Sequence, residues 1–242
     1  MQASWLVTIG MGALAVIVAS GFVLLYSLAV ERLGGRRIVA RMSARTAVLG
    51  WMAVFAALAE SGTLARFDAK PPPLALMMIA VLAMGIGLGY SKVGDTFVRG
   101  LPLGWLVLAQ GFRVPLEVVM HRAALQGLMP VEMSYSGYNF DILTGIGALV
   151  VGTLVQKGKA SRALLYAWNV IGSLLLANVL VVALLASPLV RFFGDDPAHV
   201  NSWIATFPFV WLPAVLVVAA VFGHVVIFRA LRAGPASSQP SS

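Results

Sequence analysis

The chain contains no cysteine in 242 residues, which excludes disulfides, thiol catalysis and cysteine-ligated metals or clusters. Lysine is nearly as scarce. Lys70, Lys92, Lys157 and Lys159 all fall between the long apolar runs, so no predicted span offers an amine for a retinal-type Schiff base. Of the three histidines, His121 and His224 are expected near opposite membrane faces and His199 in solvent. That separation gives no basis for a bis-histidine haem or a shared metal site, and no cofactor is expected. Charged residues make up only 11% of the chain against 60% hydrophobic ones, and the mean hydropathy is +0.92. Such a balance is that of an integral membrane protein. The net charge of +8 comes from basic residues in short segments between apolar runs, a pattern of membrane topology that does not call for a nucleic-acid partner.

Crossing about 30 Å of hydrocarbon takes about 20 apolar residues. Seven segments come near this: Trp5–Val30, Ala47–Leu64, Leu74–Tyr90, Leu101–Leu125, Ile142–Gln156, Ala163–Leu185 and Phe207–Arg229. The expected fold is therefore all-α, a polytopic bundle of seven transmembrane helices over residues 1–232, with a disordered tail at 233–242. The first apolar run is too long for a signal-peptide core and reads as a retained span. Five arginines lie in ERLGGRRIVARMSAR, and the positive-inside rule places this connection in the cytoplasm. The N-terminus is then outside and the C-terminus inside. Arg32, Arg36, Arg37, Arg41, Arg45, Lys92, Arg99, Lys157, Lys159, Arg162, Arg229 and Arg232 fall on the inner side, twelve of the 17 basic residues. Of the outer loops, Gly127–Asp141 is expected either to cap the bundle or to supply an interfacial tyrosine belt, and Arg191–Ser202 to be a solvated loop.

Within the fourth segment, Gln110, Arg113, Glu117 and His121 are 3, 4 and 4 residues apart, one polar stripe on an apolar helix. Ionisable groups at bilayer depth usually face a bundle interior or a wet cavity. Arg113 and Glu117, at i and i+4, are expected to pair. Pro115 between them removes the bond to the Gly111 carbonyl and should kink the helix there. At about 1.5 Å per residue, Glu60 and Asn178 reach the same level as Arg113 and Glu117, so the four could share a site. The structural alternatives are a packing salt bridge and a Glu60 solvated at the interface. Asn139 and Asp141 are expected mainly to cap the fifth span, with a mouth-lining acid facing His121 as the alternative. Asn169 is expected to join helices.

Taken together, ESGTLARF (Glu60–Phe67), QGFRVPLEVVMHRAALQGLMP (Gln110–Pro130), GYNFDILTGI (Gly137–Ile146), YAWNVIGSLLLANV (Tyr166–Val179) and FPFVWLPAVLV (Phe207–Val217) resemble a widespread family of uncharacterised bacterial seven-helix integral membrane proteins. The resemblance implies a bacterial inner-membrane location and carries no activity with it. Three functions stay open from the residues. The favoured one is a transporter of a small solute, an anion among the candidates, or a proton-linked transporter, with its pathway at Arg113, Glu117, Gln110, His121, Glu60, Asn178, Asn139 and Asp141. A membrane enzyme acting on a lipid or quinone is the second, although no nucleophile-elbow or zincin spacing is present. A non-catalytic scaffold or sensor is the third.

Overall fold

A computed structural model describes residues 4–233, in which every regular element is helical. In chain order these are α1 (Trp5–Arg32), α2 (Arg37–Glu60), α3 (Pro73–Tyr90), α4 (Lys92–Gly100), α5 (Leu103–Ala109), α6 (Arg113–Leu125), α7 (Ile142–Gln156), α8 (Arg162–Leu185) and α9 (Val218–Ala233). A 3-10 turn at Gln110–Phe112 joins α5 to α6, and a π turn at Leu212–Val217 leads into α9. Six stretches are long and apolar enough to cross a bilayer: α1, α2, α3, Leu103–Leu125, α8 and Leu212–Ala233. The chain is thus a multi-pass membrane helix bundle. The seventh apolar helix, α7, has the expected bounds but only 15 residues. The expected disordered tail begins inside α9, which ends at Ala233, and its residues 234–242 lie outside the described residues.

Three boundaries differ from expectation for identifiable reasons. The second helix starts at Arg37, ten residues before Ala47, because exposed Arg41 and Arg45 can extend the helix beyond the hydrocarbon on long snorkelling stems. Ser91–Gly100 was expected as a loop, yet Lys92–Gly100 is helical. Ser91 caps it by accepting a bond from the Val93 amide at 3.1 Å. This short helix buries Phe97 against Phe22 and Phe222, with ring centroids 5.2 and 4.9 Å away. The last span opens with a turn at 207–210 and becomes helical at Trp211, where Pro213 cannot donate a backbone bond and the helix widens. Here Trp51 donates to the Ala214 carbonyl at 2.7 Å while Trp211 donates to that of Met52 at 3.0 Å. These reciprocal indole bonds fasten α2 to the start of the last span.

Helix association in lipid draws little from the hydrophobic effect and depends on close contact. Small residues supply it between α7 and the Leu103–Leu125 helix, which run antiparallel: Gly152 abuts Leu108, Leu149 abuts Gly111, and Gly145 abuts Val114. A Cβ at Gly145 would come within 2.9 Å of Val114 and 3.1 Å of the Arg113 Cβ. Gly145 thereby lets α7 approach at the level of the polar stripe. At one end of the bundle the start of α1 is tied to the end of α6, where Ser4 Oγ accepts from Gln126 Nε2 at 2.8 Å.

Candidate functional site

The polar stripe sits where the fourth long helix changes pitch. Pro115 leaves the Gly111 carbonyl without its helical donor, and the 3-10 turn at Gln110–Phe112 precedes a restarted α6 whose first turn tolerates the proline. Arg113, the second residue after Gly111, projects from this restart and is fully buried. Its Nη1 donates to Asp141 Oδ1 at 2.5 Å, and its Nη2 lies 3.5 Å from Gln110 Oε1. Arg113 and Glu117 are not an ion pair, which corrects the expected i,i+4 bridge: the guanidinium reaches sideways to the head of α7.

Glu117 is buried too, and its partner is Asn139. The Asn139 amide nitrogen lies 2.9 and 3.0 Å from the two carboxylate oxygens and 2.9 Å from the Met133 carbonyl. With two hydrogens for three acceptors, that nitrogen gives one bond to the carbonyl and shares the other across the carboxylate. Asn139 Oδ1 in turn accepts from the Asp141 amide at 2.9 Å. One asparagine therefore links both carboxylate sites. The expected capping role of Asp141 is not realised: its backbone has helical angles, φ −67° and ψ −17°, and its side chain makes no cap bond. Nor does Asp141 face His121.

Asn139 and Asp141 enter the bundle because the 126–141 segment folds inward. Met129 and Met133 are buried, Tyr138 donates to the Glu132 carbonyl, and Asn139 donates its amide to Ser134. The segment also meets the 191–202 loop, where His199 Nδ1 is 2.7 Å from Glu132 Oε1. That loop is not merely solvated, since Asn201 is 1% exposed with an unpartnered Oδ1. Asn201 carried no signal in its polar surroundings. It lines a cavity of about 40 Å³ together with Arg113, Glu117 and Asp141, closed by Met120, Met133 and other apolar side chains. This volume takes about two or three water molecules at most, and Arg113 Nε is a further buried polar atom without a partner.

Three expected members lie elsewhere. Glu60 ends α2 in an exposed position, because α2 packs on the outside of the bundle. Asn178 donates to the Tyr138 carbonyl at 2.6 Å, bracing α8 against the inward loop. His121 stacks on Tyr135 at 4.2 Å, with its Nδ1 3.3 Å from Ser136 Oγ, and does not join the cluster. On the other side, the Gln110 amide fills the space over Gly223, where a Cβ would come within 1.9 Å of it. Neighbouring His224 is bonded through Nδ1 to Asn169 Oδ1 at 2.7 Å, while Asn169 Nδ2 donates to the His224 carbonyl at 3.2 Å. Since Asn169 already donates through its amide nitrogen, His224 is assigned as the Nδ1–H tautomer. Asn169 thus does join α8 to α9.

Among the described residues no three His, Asp or Glu side chains converge as a metal site. Chemically, the cluster can hold a proton, a few waters or a small charged group against one guanidinium and two carboxyls. No protein-family model, curated protein or solved structure matches the chain.

Proposed function

We propose that the protein is a proton-linked transporter, built as the seven-span bacterial inner-membrane protein that its sequence resemblance implies. The observation that carries this reading is the buried cluster: two carboxyl groups, Glu117 and Asp141, arranged around the single guanidinium of Arg113 beside a water-sized cavity. Such a group is electrically neutral when the two carboxyls share one proton. Charges at this depth are costly unless they face a pathway or a partner, and one carboxylate here has only an amide for a partner. A cavity of about 40 Å³ is too small for most solutes, so this conformation is read as the occluded one. The 126–141 segment is the gate: it closes the cavity with Met133 and delivers Asn139 and Asp141.

The seventh crossing in this reading is α7. Its 15 residues span about 22 Å, and its antiparallel course beside Leu103–Leu125 supports a return across the bilayer. A short span is accommodated by local thinning at modest cost. Twelve of 17 basic residues then face the cytoplasm, with the N-terminus outside and the C-terminus inside.

Purified protein in liposomes enclosing a pH-sensitive dye should pass protons, alone or with one of a panel of small anions. Glu117→Gln and Asp141→Asn should abolish this in protein that elutes as folded. A wild type that moves neither protons nor any anion of the panel would overturn the proposal. Folded variants with undiminished flux would overturn the assignment of the site.

A further inference from the structure

A second, much larger space lies at the basic end of the bundle. It is a crevice of about 490 Å³, floored by Phe22 and Tyr26 of α1, with Ala47 and Trp51 on one wall and Leu88 and Phe222 on the other. Its far end is shut by the reciprocal indole bonds of Trp51 and Trp211. Below them α2 packs mainly on α1, so the crevice stays open to the side. Protein interiors rarely keep voids larger than a water molecule. An apolar space of this size does not hold water. In a membrane, hydrocarbon fills it.

The shape specifies what kind of hydrocarbon. The lining of α2 runs from Ser43 to Met52, a rise of about 14 Å along the helix, which is close to one leaflet of a core about 30 Å thick. The stripe of α2 that includes Val48 and Ala44 continues, in steps of three and four residues, to Arg41 and Arg37. Arg45 flanks it, and Lys92 directly precedes Val93, which lines the opposite wall. Arg37 is paired with Glu31 at 3.0 Å and Arg229 with Asp95, whereas Arg41, Arg45 and Lys92 form no ion pair among the described residues. The open end of an apolar slot one leaflet deep therefore carries three uncompensated cations. Basic groups at this position attract anionic headgroups.

We propose that the crevice binds one acyl chain of an anionic phospholipid from the leaflet on the basic side, with the phosphate held by Arg41, Arg45 and Lys92. The site lies apart from the Arg113 cluster and stands whether or not that cluster moves protons.

Trp51 at the closed end provides the probe. In nanodiscs of phosphatidylcholine doped with phosphatidylglycerol brominated near the chain ends, the quenching lost in Trp51→Phe should saturate at a low mole fraction of the brominated lipid. Brominated phosphatidylcholine doped in the same way should quench that component several-fold less steeply. Ala47→Leu, which fills the slot, should remove this quenching. Replacing Arg41, Arg45 and Lys92 together by glutamine should equalise the two lipids while leaving Trp51 accessible. Equal quenching of wild-type Trp51 by both lipids would overturn the headgroup assignment, and no quenching by either would overturn the site. Native mass spectrometry of the unmodified protein gives an independent check: one retained anionic phospholipid per chain is expected, and none retained refutes the proposal.

Discussion

The pairing of Arg113 with Asp141, rather than with Glu117 four residues along its own helix, can be tested by a double-mutant cycle. The perturbations are Arg113→Met and Asp141→Asn, alone and together. The 2.5 Å contact joins a guanidinium that is 1% exposed to a carboxylate that is 7% exposed. Charge centres about 4 Å apart at an effective dielectric of about 20 attract by on the order of 4 kcal/mol. Removing one member of a buried pair strands the other and typically costs about 3–5 kcal/mol. The double substitution leaves neither partner stranded, so its cost should fall short of the sum of the singles by about 2–3 kcal/mol. Reversible unfolding in mixed micelles, followed by tryptophan fluorescence, reads each difference. The companion cycle with Glu117→Gln in place of Asp141→Asn should show the smaller coupling, because no direct contact joins Arg113 to Glu117. Additive effects for Arg113 and Asp141, or a larger coupling to Glu117, would refute the bonding pattern described.

Asn139→Leu should cost about 2–3 kcal/mol by leaving Glu117 buried without its donor, and adding Glu117→Leu should recover most of that loss in the same unfolding assay; no recovery would mean that Asn139 acts elsewhere. Gly145→Val should push α7 away from Val114 and lower stability by about 1–3 kcal/mol, whereas the same change at Gly21, where a Cβ meets nothing within 4 Å, should have a much smaller effect. A reporter fused after Arg232 should be active only on the cytoplasmic side, and activity confined to the outer side would reverse the proposed orientation.

The helices were readable because long apolar runs leave a polytopic protein few other choices, and α7 was located to the residue. Helix α4 was not, since nine residues with Lys92, Asp95 and Arg99 look like a connection until Phe97 is seen buried among rings from α1 and α9. The polar stripe was likewise legible, as ionisable residues in an apolar helix stand out. Its bonding was not. Helical spacing offers Arg113 a partner four residues away, while the partner it uses is 28 residues away and that of Glu117 is 22 away. Both arrive on an irregular segment whose inward course has no periodicity to announce it. Glu60 was misplaced for a related reason: depth along a helix says nothing about which way the helix faces, and α2 stands at the periphery.

The π turn at Leu212–Val217 acts on the last span as a change of phase. One residue beyond the normal complement per turn rotates everything that follows by about 100° relative to a continuous α-helix. A single rod can then show two unrelated faces along its length. At the turn itself, the face toward α2 presents the Ala214 carbonyl to Trp51, and just ahead of it Trp211 donates to the Met52 carbonyl. Below it, Gly223 meets Gln110 and His224 meets Asn169. Deleting one residue within 212–217 would restore a regular helix and bring the two halves into a common phase. The apolar seam with α2 and the polar seam beneath Arg113 would then no longer be satisfied together.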